Sequence, residues 1–96
     1  MANAGNEIRI VTMPLDPANW TLISAPADVV VGTVTCRNQQ QVDVKIRTND
    51  ADPSTEDLIP ANFERTFKFS TSLRRSGLFY AKPVSGTGPL VAVCNP

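Results

Sequence analysis

A two-residue alternation of apolar and polar side chains is the feature that most constrains this chain. The segment VDVKIR, residues 42–47, places three aliphatic side chains on one face and three charged side chains on the other. This period predicts a half-buried antiparallel β-strand, because successive side chains of a strand point to opposite faces. No window of ten residues carries a helical stripe, so the sequence predicts an all-β protein.

Six further segments have strand character. VVVGTVTC, residues 29–36, is apolar on both faces at its start, which predicts a central strand covered on both sides. The other segments are residues 8–13, 20–24, 64–70, 78–82 and 90–94. RNQQQ at 37–41 and SGTGP at 85–89 predict hairpin connections. About seven short strands favour one antiparallel β-sandwich over residues 8–96, jelly-roll-like or immunoglobulin-like, after a polar arm at residues 1–7.

The tripeptide Pro-Ala-Asn occurs twice, at residues 17–19 and 60–62, and an aromatic residue follows each copy. Proline presets the backbone angle of a tight turn, so we expect two similar turns, each delivering its aromatic ring to the edge of the core. The alternation of the strands predicts one shared core that contains Trp20, Val34, Val44, Ile46, Phe67 and Phe69.

Most catalytic chemistry is excluded by residue type. The chain has no histidine, which removes Ser-His-Asp and Cys-His catalysis and histidine-ligated metal sites. No phosphate-binding or dinucleotide-binding motif is present. MANAGNEIRI lacks the basic and apolar regions of a signal peptide, so we expect synthesis in a reducing cytoplasm. Cys36 and Cys94 are then expected to be buried free thiols, although neighbouring strands would also allow a disulfide.

One acidic group requires consideration: Asp50, Asp52, Glu56 and Asp57. Carboxylates this close are able to hold calcium, or to act as a glycosidase pair, but a solvated loop is the favoured interpretation. The aromatic residues are able to form a sugar platform, but a core role is favoured. We therefore expect no enzyme, no metal and no cofactor.

Charge is balanced overall but divided along the chain. Residues 1–63 carry four basic and eight acidic residues, whereas residues 64–96 carry five basic and one acidic. The two parts therefore have formal charges of −4 and +4, which favours association with copies of the chain or with a charged lattice. Zero net charge argues against nucleic-acid binding, and no apolar run is long enough to span a membrane.

Three sets of residues are candidates for an interface. LRRSG, residues 73–77, places Arg74 and Arg75 in one predicted loop, and Asp50 and Asp52 of the acidic group are the second set. The N-terminal arm contributes a third group that we expect a neighbouring molecule to order: Asn3, Asn6 and Glu7.

Across residues 8–94 the chain resembles small structural proteins of tailed bacteriophages. The resemblance is carried by the order of WTLIS, VGTVTCRN, a V-x-V-x-I strand, LIPAN, an F-x-F strand and AKPVSGTGPLVAV. Ala61 stands where the elbow of such proteins usually has glycine. The resemblance implies a non-enzymatic β-sandwich of the virion that decorates or cements the capsid by binding the major capsid protein and copies of itself. The alternative is a tail or fibre component, or an adhesion module that binds host carbohydrate.

Overall fold

The structure, a computed structural model, describes residues 8–75 and 77–96. Eight strands follow one another in these residues: β1 (Arg9–Pro14), β2 (Thr21–Ser24), β3 (Val30–Asn38), β4 (Val44–Arg47), β5 (Asp57–Ile59), β6 (Glu64–Arg74), β7 (Gly77–Pro83) and β8 (Pro89–Asn95). One 3-10 turn, Pro53–Thr55, lies between β4 and β5. Each segment that the sequence predicts to be a strand is one, and β5 is additional because three residues are too few to show an alternation.

The strands form two antiparallel sheets, with the orders β1-β8-β3-β6 and β2-β7-β4-β5. The first strand pairs with the last, the second with the seventh, the third with the sixth and the fourth with the fifth. The chain is therefore a long antiparallel ribbon rolled onto itself, and the pairs β3–β8 and β4–β7 complete the sheets. This nested order is that of a jelly roll. It confirms the predicted β-sandwich and shows that the sandwich is jelly-roll-like rather than immunoglobulin-like.

The connections between strands mostly cross from one sheet to the other. Among the eight described strands, only β4 and β5 are consecutive in the same sheet. The predicted hairpins at residues 37–41 and 85–89 are therefore wrong, because each leads to a strand in the opposite sheet. Their polar residues and glycines do mark changes of direction, and Gly86 has a φ of 70°. Turn composition, however, does not specify which sheet the next strand joins.

The core fills the space between the inner faces of the two sheets. Val34, Val44 and Ile46 are buried as predicted, and Phe67 and Phe69 pack against this core while remaining half-buried. The ring of Phe67 lies 5.3 Å from that of Phe79, which is buried.

Trp20 does not belong to this core, so that part of the prediction is wrong. Ile23 points inward from β2 and is fully buried, whereas Leu22 is 40% exposed. Trp20 is in phase with Leu22, and its half-buried indole lies on the outer side of the second sheet.

The two Pro-Ala-Asn turns differ in geometry. In the first, the backbone N–H of Asn19 donates to the carbonyl of Asp16 at 3.3 Å, which makes Pro17 the second residue of the turn. In the other, the N–H of Phe63 donates to the carbonyl of Pro60 at 3.1 Å, and Asn62 has a φ of 63°. Phe63 is 64% exposed. The expectation that both turns deliver an aromatic ring to the core is therefore wrong.

Asn38 is a buried polar residue at the end of β3, with 1% of its surface exposed. Its side-chain amide donates to the carbonyls of Val42 at 2.8 Å, Ile59 at 2.9 Å and Pro60 at 3.1 Å. Its side-chain oxygen accepts a bond from the N–H of Gln40 at 3.0 Å. One side chain thereby fixes the crossing from β3 to β4 against the turn that follows β5.

Cys36 on β3 and Cys94 on β8 are free and buried, as expected. Burial raises the pKa of Cys36 from 9.0 to about 12, and the neighbouring Cys94 thiol adds to the rise. Burial also raises the pKa of Cys94. Both thiols are therefore protonated and unreactive in the folded chain at neutral pH.

Candidate interaction surfaces

The acidic loop between β4 and β5 is held by separate contacts rather than organised around a shared centre. Asp52 accepts bonds from the hydroxyl of Ser54 at 2.7 Å and from its N–H at 3.0 Å, and these bonds lower the pKa of Asp52. Glu56 binds Arg47 at 2.7 Å, and Asp57 binds Arg65 at 2.5 Å. Within residues 8–75 and 77–96, no group of three acidic or cysteine side chains is placed to hold a metal ion.

The two candidate arginines do not share a loop or an environment. Arg74 is the last residue of β6 and is exposed. Arg75 is half-buried, with its guanidinium 4.2 Å from the centre of the Phe69 ring. It donates to the carbonyl of Val31 at 3.3 Å and to the carbonyl of Thr71. Arg75 is therefore part of the packing of its own domain, and Arg74 is the member of the pair that is accessible to a partner.

Arg75 supports an irregularity in β6. The register between β3 and β6 shifts after Thr33 pairs with Lys68, so that Val31 pairs with Leu73. The extra residues of β6 bulge opposite Gly32. A Cβ atom at Gly32 would lie 2.5 Å from the hydroxyl oxygen of Ser72 and 3.0 Å from the carbonyl carbon of Pro96, so there is little room for a larger residue opposite the bulge. The regular part of β6 therefore ends near Lys68.

The aromatic side chains do not line up as a sugar platform. Phe79 is in the core, and Phe69 lies under Arg75. One face of Trp20 is occupied by the guanidinium of Arg47, 4.5 Å from the ring centre, with Lys82 at 5.7 Å.

The outer face of the second sheet is basic. Lys45 on β4 lies directly opposite Lys82 on β7, and Arg47 lies opposite Tyr80 on the same two strands. Like charges directly opposite one another destabilise a sheet. We call this surface, formed by Trp20, Lys45, Arg47, Tyr80 and Lys82, the basic face.

The outer face of the first sheet is largely uncharged. In one row across it, Ile10, Val93, Thr35 and Thr66 lie side by side on β1, β8, β3 and β6. We call this surface the threonine face, and its members are Ile10, Thr12, Thr33, Thr35, Thr66, Val91 and Val93. The members on the central strands β3 and β8 alternate with buried residues, so their side chains point away from the core, and the members on β1 and β6 pair directly with them. Ile10 is 67% exposed.

The sequence signal for this face is the one that predicted β3 to be covered on both sides, and β8 carries it as well. β8 carries aliphatic residues at successive positions, and β3 carries threonines between its buried residues. Apolar or β-branched residues on both faces of a strand predict that both faces have something to contact. Within the described residues the fold supplies a covering layer for one face only.

The open edge of β6 is a third candidate surface. Among the described strands, β6 lies at the end of its sheet and pairs with β3 alone. The hydroxyls of Thr35 and Thr66 are 2.9 Å apart across this pair. Glu64 is bound to Arg37 at 3.3 Å, and Arg65 to Asp57. These ion pairs join the acidic and basic parts of the chain at the start of β6, so the −4 and +4 parts are not held apart in space.

The remaining candidates and comparisons add little to this picture. Asn3, Asn6 and Glu7 lie outside the described residues, and Asp50 is exposed, with its carbonyl accepting a bond from Arg47 at 2.8 Å.

The part of the chain that the structure describes contains no helix of the length and apolar character needed to cross a membrane. No family model, curated protein or solved structure matches the chain.

Proposed function

We propose that this chain is a structural protein of a tailed-bacteriophage virion, with no enzymatic role, that decorates the capsid by binding the major capsid protein and copies of itself. The observation that carries the proposal is the threonine face. A surface of β-branched side chains with its charges at the margin has the composition of an interface centre, where charged residues are depleted. Such a surface suits permanent attachment to another protein better than exposure to solvent.

The fold and the sequence resemblance agree with this role. Jelly rolls occur in viral capsid proteins, lectins and cupins, so the fold alone leaves the role open. A cupin-like metal site needs clustered ligands, which the described residues do not provide. A lectin needs accessible aromatic faces; one face of the Trp20 indole is covered by Arg47, although Phe63 is exposed. The adhesion module is therefore less well supported than attachment to the capsid shell, and a tail or fibre component is the alternative placement on the particle.

Purified particles test the proposal directly. Mass spectrometry should find the chain at a fixed copy number relative to the major capsid protein. Particles lacking the chain should rebind it when it is supplied from outside. Absence of the chain from particles, or its presence only in a tail fraction, would overturn the assignment to the capsid.

A matched pair of variants tests the threonine face. Thr35→Lys puts a charge at the centre of this face and should lower particle binding about tenfold or more, since an unpaired charge in an interface is costly. Thr48→Lys adds the same charge at an exposed position after β4 and should leave binding unchanged. Equal binding of both variants would exclude the threonine face as the attachment surface.

A further inference from the structure

The regular part of β6 presents a row of backbone groups to solvent. The N–H of Asn38 donates to the carbonyl of Phe63 at 2.9 Å, which makes these two residues a hydrogen-bonded pair of the β3–β6 ladder. Bonded and non-bonded pairs alternate along an antiparallel ladder. Arg65 and Phe67 therefore bond to β3, whereas the N–H and C=O groups of Glu64, Thr66 and Lys68 point to the open edge. The close Thr35–Thr66 hydroxyls fit a non-bonded pair, in which side chains approach more closely.

This edge lacks the protection of the other edge of its sheet. β1 ends in Pro14, which has no N–H to offer and limits any added strand. Residues 64–68 contain no proline or glycine and no register shift. Lysine on an edge strand usually discourages pairing with another strand. Glu64, however, lies four residues before Lys68 on the same face of β6 and offers an opposite charge to the lysine of an added strand.

We propose that two copies of this chain pair through β6, antiparallel and about a two-fold axis at Thr66, to form one continuous eight-stranded sheet. In this register Thr66 faces Thr66 of the second copy, and Glu64 faces Lys68 on each side. All three pairs use the residues whose backbone groups point outward. Each pair exchanges two backbone hydrogen bonds, six in all.

Charge complementarity selects this register over its neighbours. A pair centred on Glu64 would oppose two glutamates, and one centred on Lys68 would oppose two lysines, which is destabilising. A pair centred on Arg65 or Phe67 brings no opposite charges together. Only the register centred on Thr66 sets Glu64 against Lys68 of the second copy, and symmetry makes this contact twice.

The inner side of the pair adds a second type of contact. The same register places Arg65 opposite Phe67 of the second copy, on the side of β6 that faces the core. Arginine beside an aromatic ring is favourable, and the half-buried Phe67 gains cover. So short a strand pair buries less than a typical stable interface, so the isolated dimer should be weak and should become persistent when both copies are attached to one shell.

This proposal deepens the proposed function by specifying how two copies meet, but its test uses the isolated full chain and no particles. Sedimentation velocity over a concentration series should show a monomer–dimer equilibrium. Thr66→Pro removes an N–H that β3 does not use, so the fold should survive while dimerisation weakens about tenfold or more. Thr66→Val keeps the N–H and the branched side chain and is the matched control, expected to dimerise like wild type. A wild type that is monomeric throughout, or a dimer unaffected by Thr66→Pro, overturns the proposal.

Charge exchange tests the register. Glu64→Lys and Lys68→Glu each place like charges opposite one another in a homodimer, so each variant alone should dimerise about tenfold more weakly than wild type. A mixture of the two variants places opposite charges at both contacts and should form heterodimers of about wild-type affinity. If the two charges instead stabilised each folded chain by itself, mixing the two variants would not restore dimerisation. Failure of the mixture to dimerise while wild type does would refute the Thr66-centred register.

Discussion

Replacing Asn38 offers the most direct test of how the two sheets are joined. The amide group has two hydrogens and lies within hydrogen-bond distance of three carbonyls, so one hydrogen is shared. The side-chain oxygen accepts one further bond, from Gln40. Asn38→Ala therefore removes about three bonds at a buried site. At about 1 kcal/mol each, the free energy of unfolding should fall by about 3 kcal/mol, a large part of the stability of a small domain.

Asn38→Asp separates hydrogen bonding from packing, because it keeps the shape of the side chain. The carboxylate has no hydrogen to donate to the three carbonyls, so burial and repulsion should raise its pKa in the folded state. A raised folded pKa contributes stability that is present below the unfolded pKa of about 3.9 and is lost as the pH rises. The variant should therefore be much less stable than wild type at pH 7 and should recover towards it in acid.

Urea unfolding at several pH values measures both effects. Gln41→Ala, an exposed change in the same connection, is the control and should alter the free energy of unfolding by less than about 0.5 kcal/mol. A loss below about 1 kcal/mol for Asn38→Ala would show that these bonds do not hold the crossing. If the stability of Asn38→Asp relative to wild type does not increase from pH 7 to acid, the assignment of the Asn38 amide as the donor is refuted.

Three further predictions concern the buried thiol, the aromatic packing and the bulge of β6. Because the pKa of Cys36 is raised from 9.0 to about 12 in the folded chain, this contribution to stability is present below pH 9.0 and is lost as the pH rises towards 12, by about 1 kcal/mol at pH 10. Urea unfolding of Cys36→Ala should show a smaller decline over this range, and equal declines would contradict the assignment. Phe67→Ala should lower the free energy of unfolding by about 2–3 kcal/mol and Trp20→Ala by about 1 kcal/mol, because of the two rings only Phe67 packs against the core. A larger loss for Trp20→Ala than for Phe67→Ala in urea unfolding would be inconsistent with the fold. Gly32→Ala should destabilise by about 1–3 kcal/mol, and Ser72→Gly in the same chain should restore part of the loss measured by thermal unfolding.

Strand positions could be predicted from the sequence because the alternation that marks them is local. Val44 and Ile46 point inward and Lys45 outward as their order requires. The jelly-roll order could not be predicted, because it depends on which distant strands pair. The polar residues after β3 signal a turn whether the chain returns to the same sheet or crosses to the other. Asn38 was missed for the same reason, since its three carbonyl partners belong to segments brought together only by the crossing.

The two adjacent arginines show why interface residues are harder to predict than strands. In the sequence they are equivalent, both following Leu73 in a polar segment. In the fold, Arg74 still pairs with Val30 at the end of β6, whereas Arg75 lies on the Phe69 ring and bonds the carbonyl of Val31. Replacing Arg75 would therefore disturb the bulge of β6 and change the stability of the free chain. Only Arg74→Ala removes a charge accessible to a partner while leaving these contacts in place, so it is the appropriate single test of whether this end of β6 takes part in assembly.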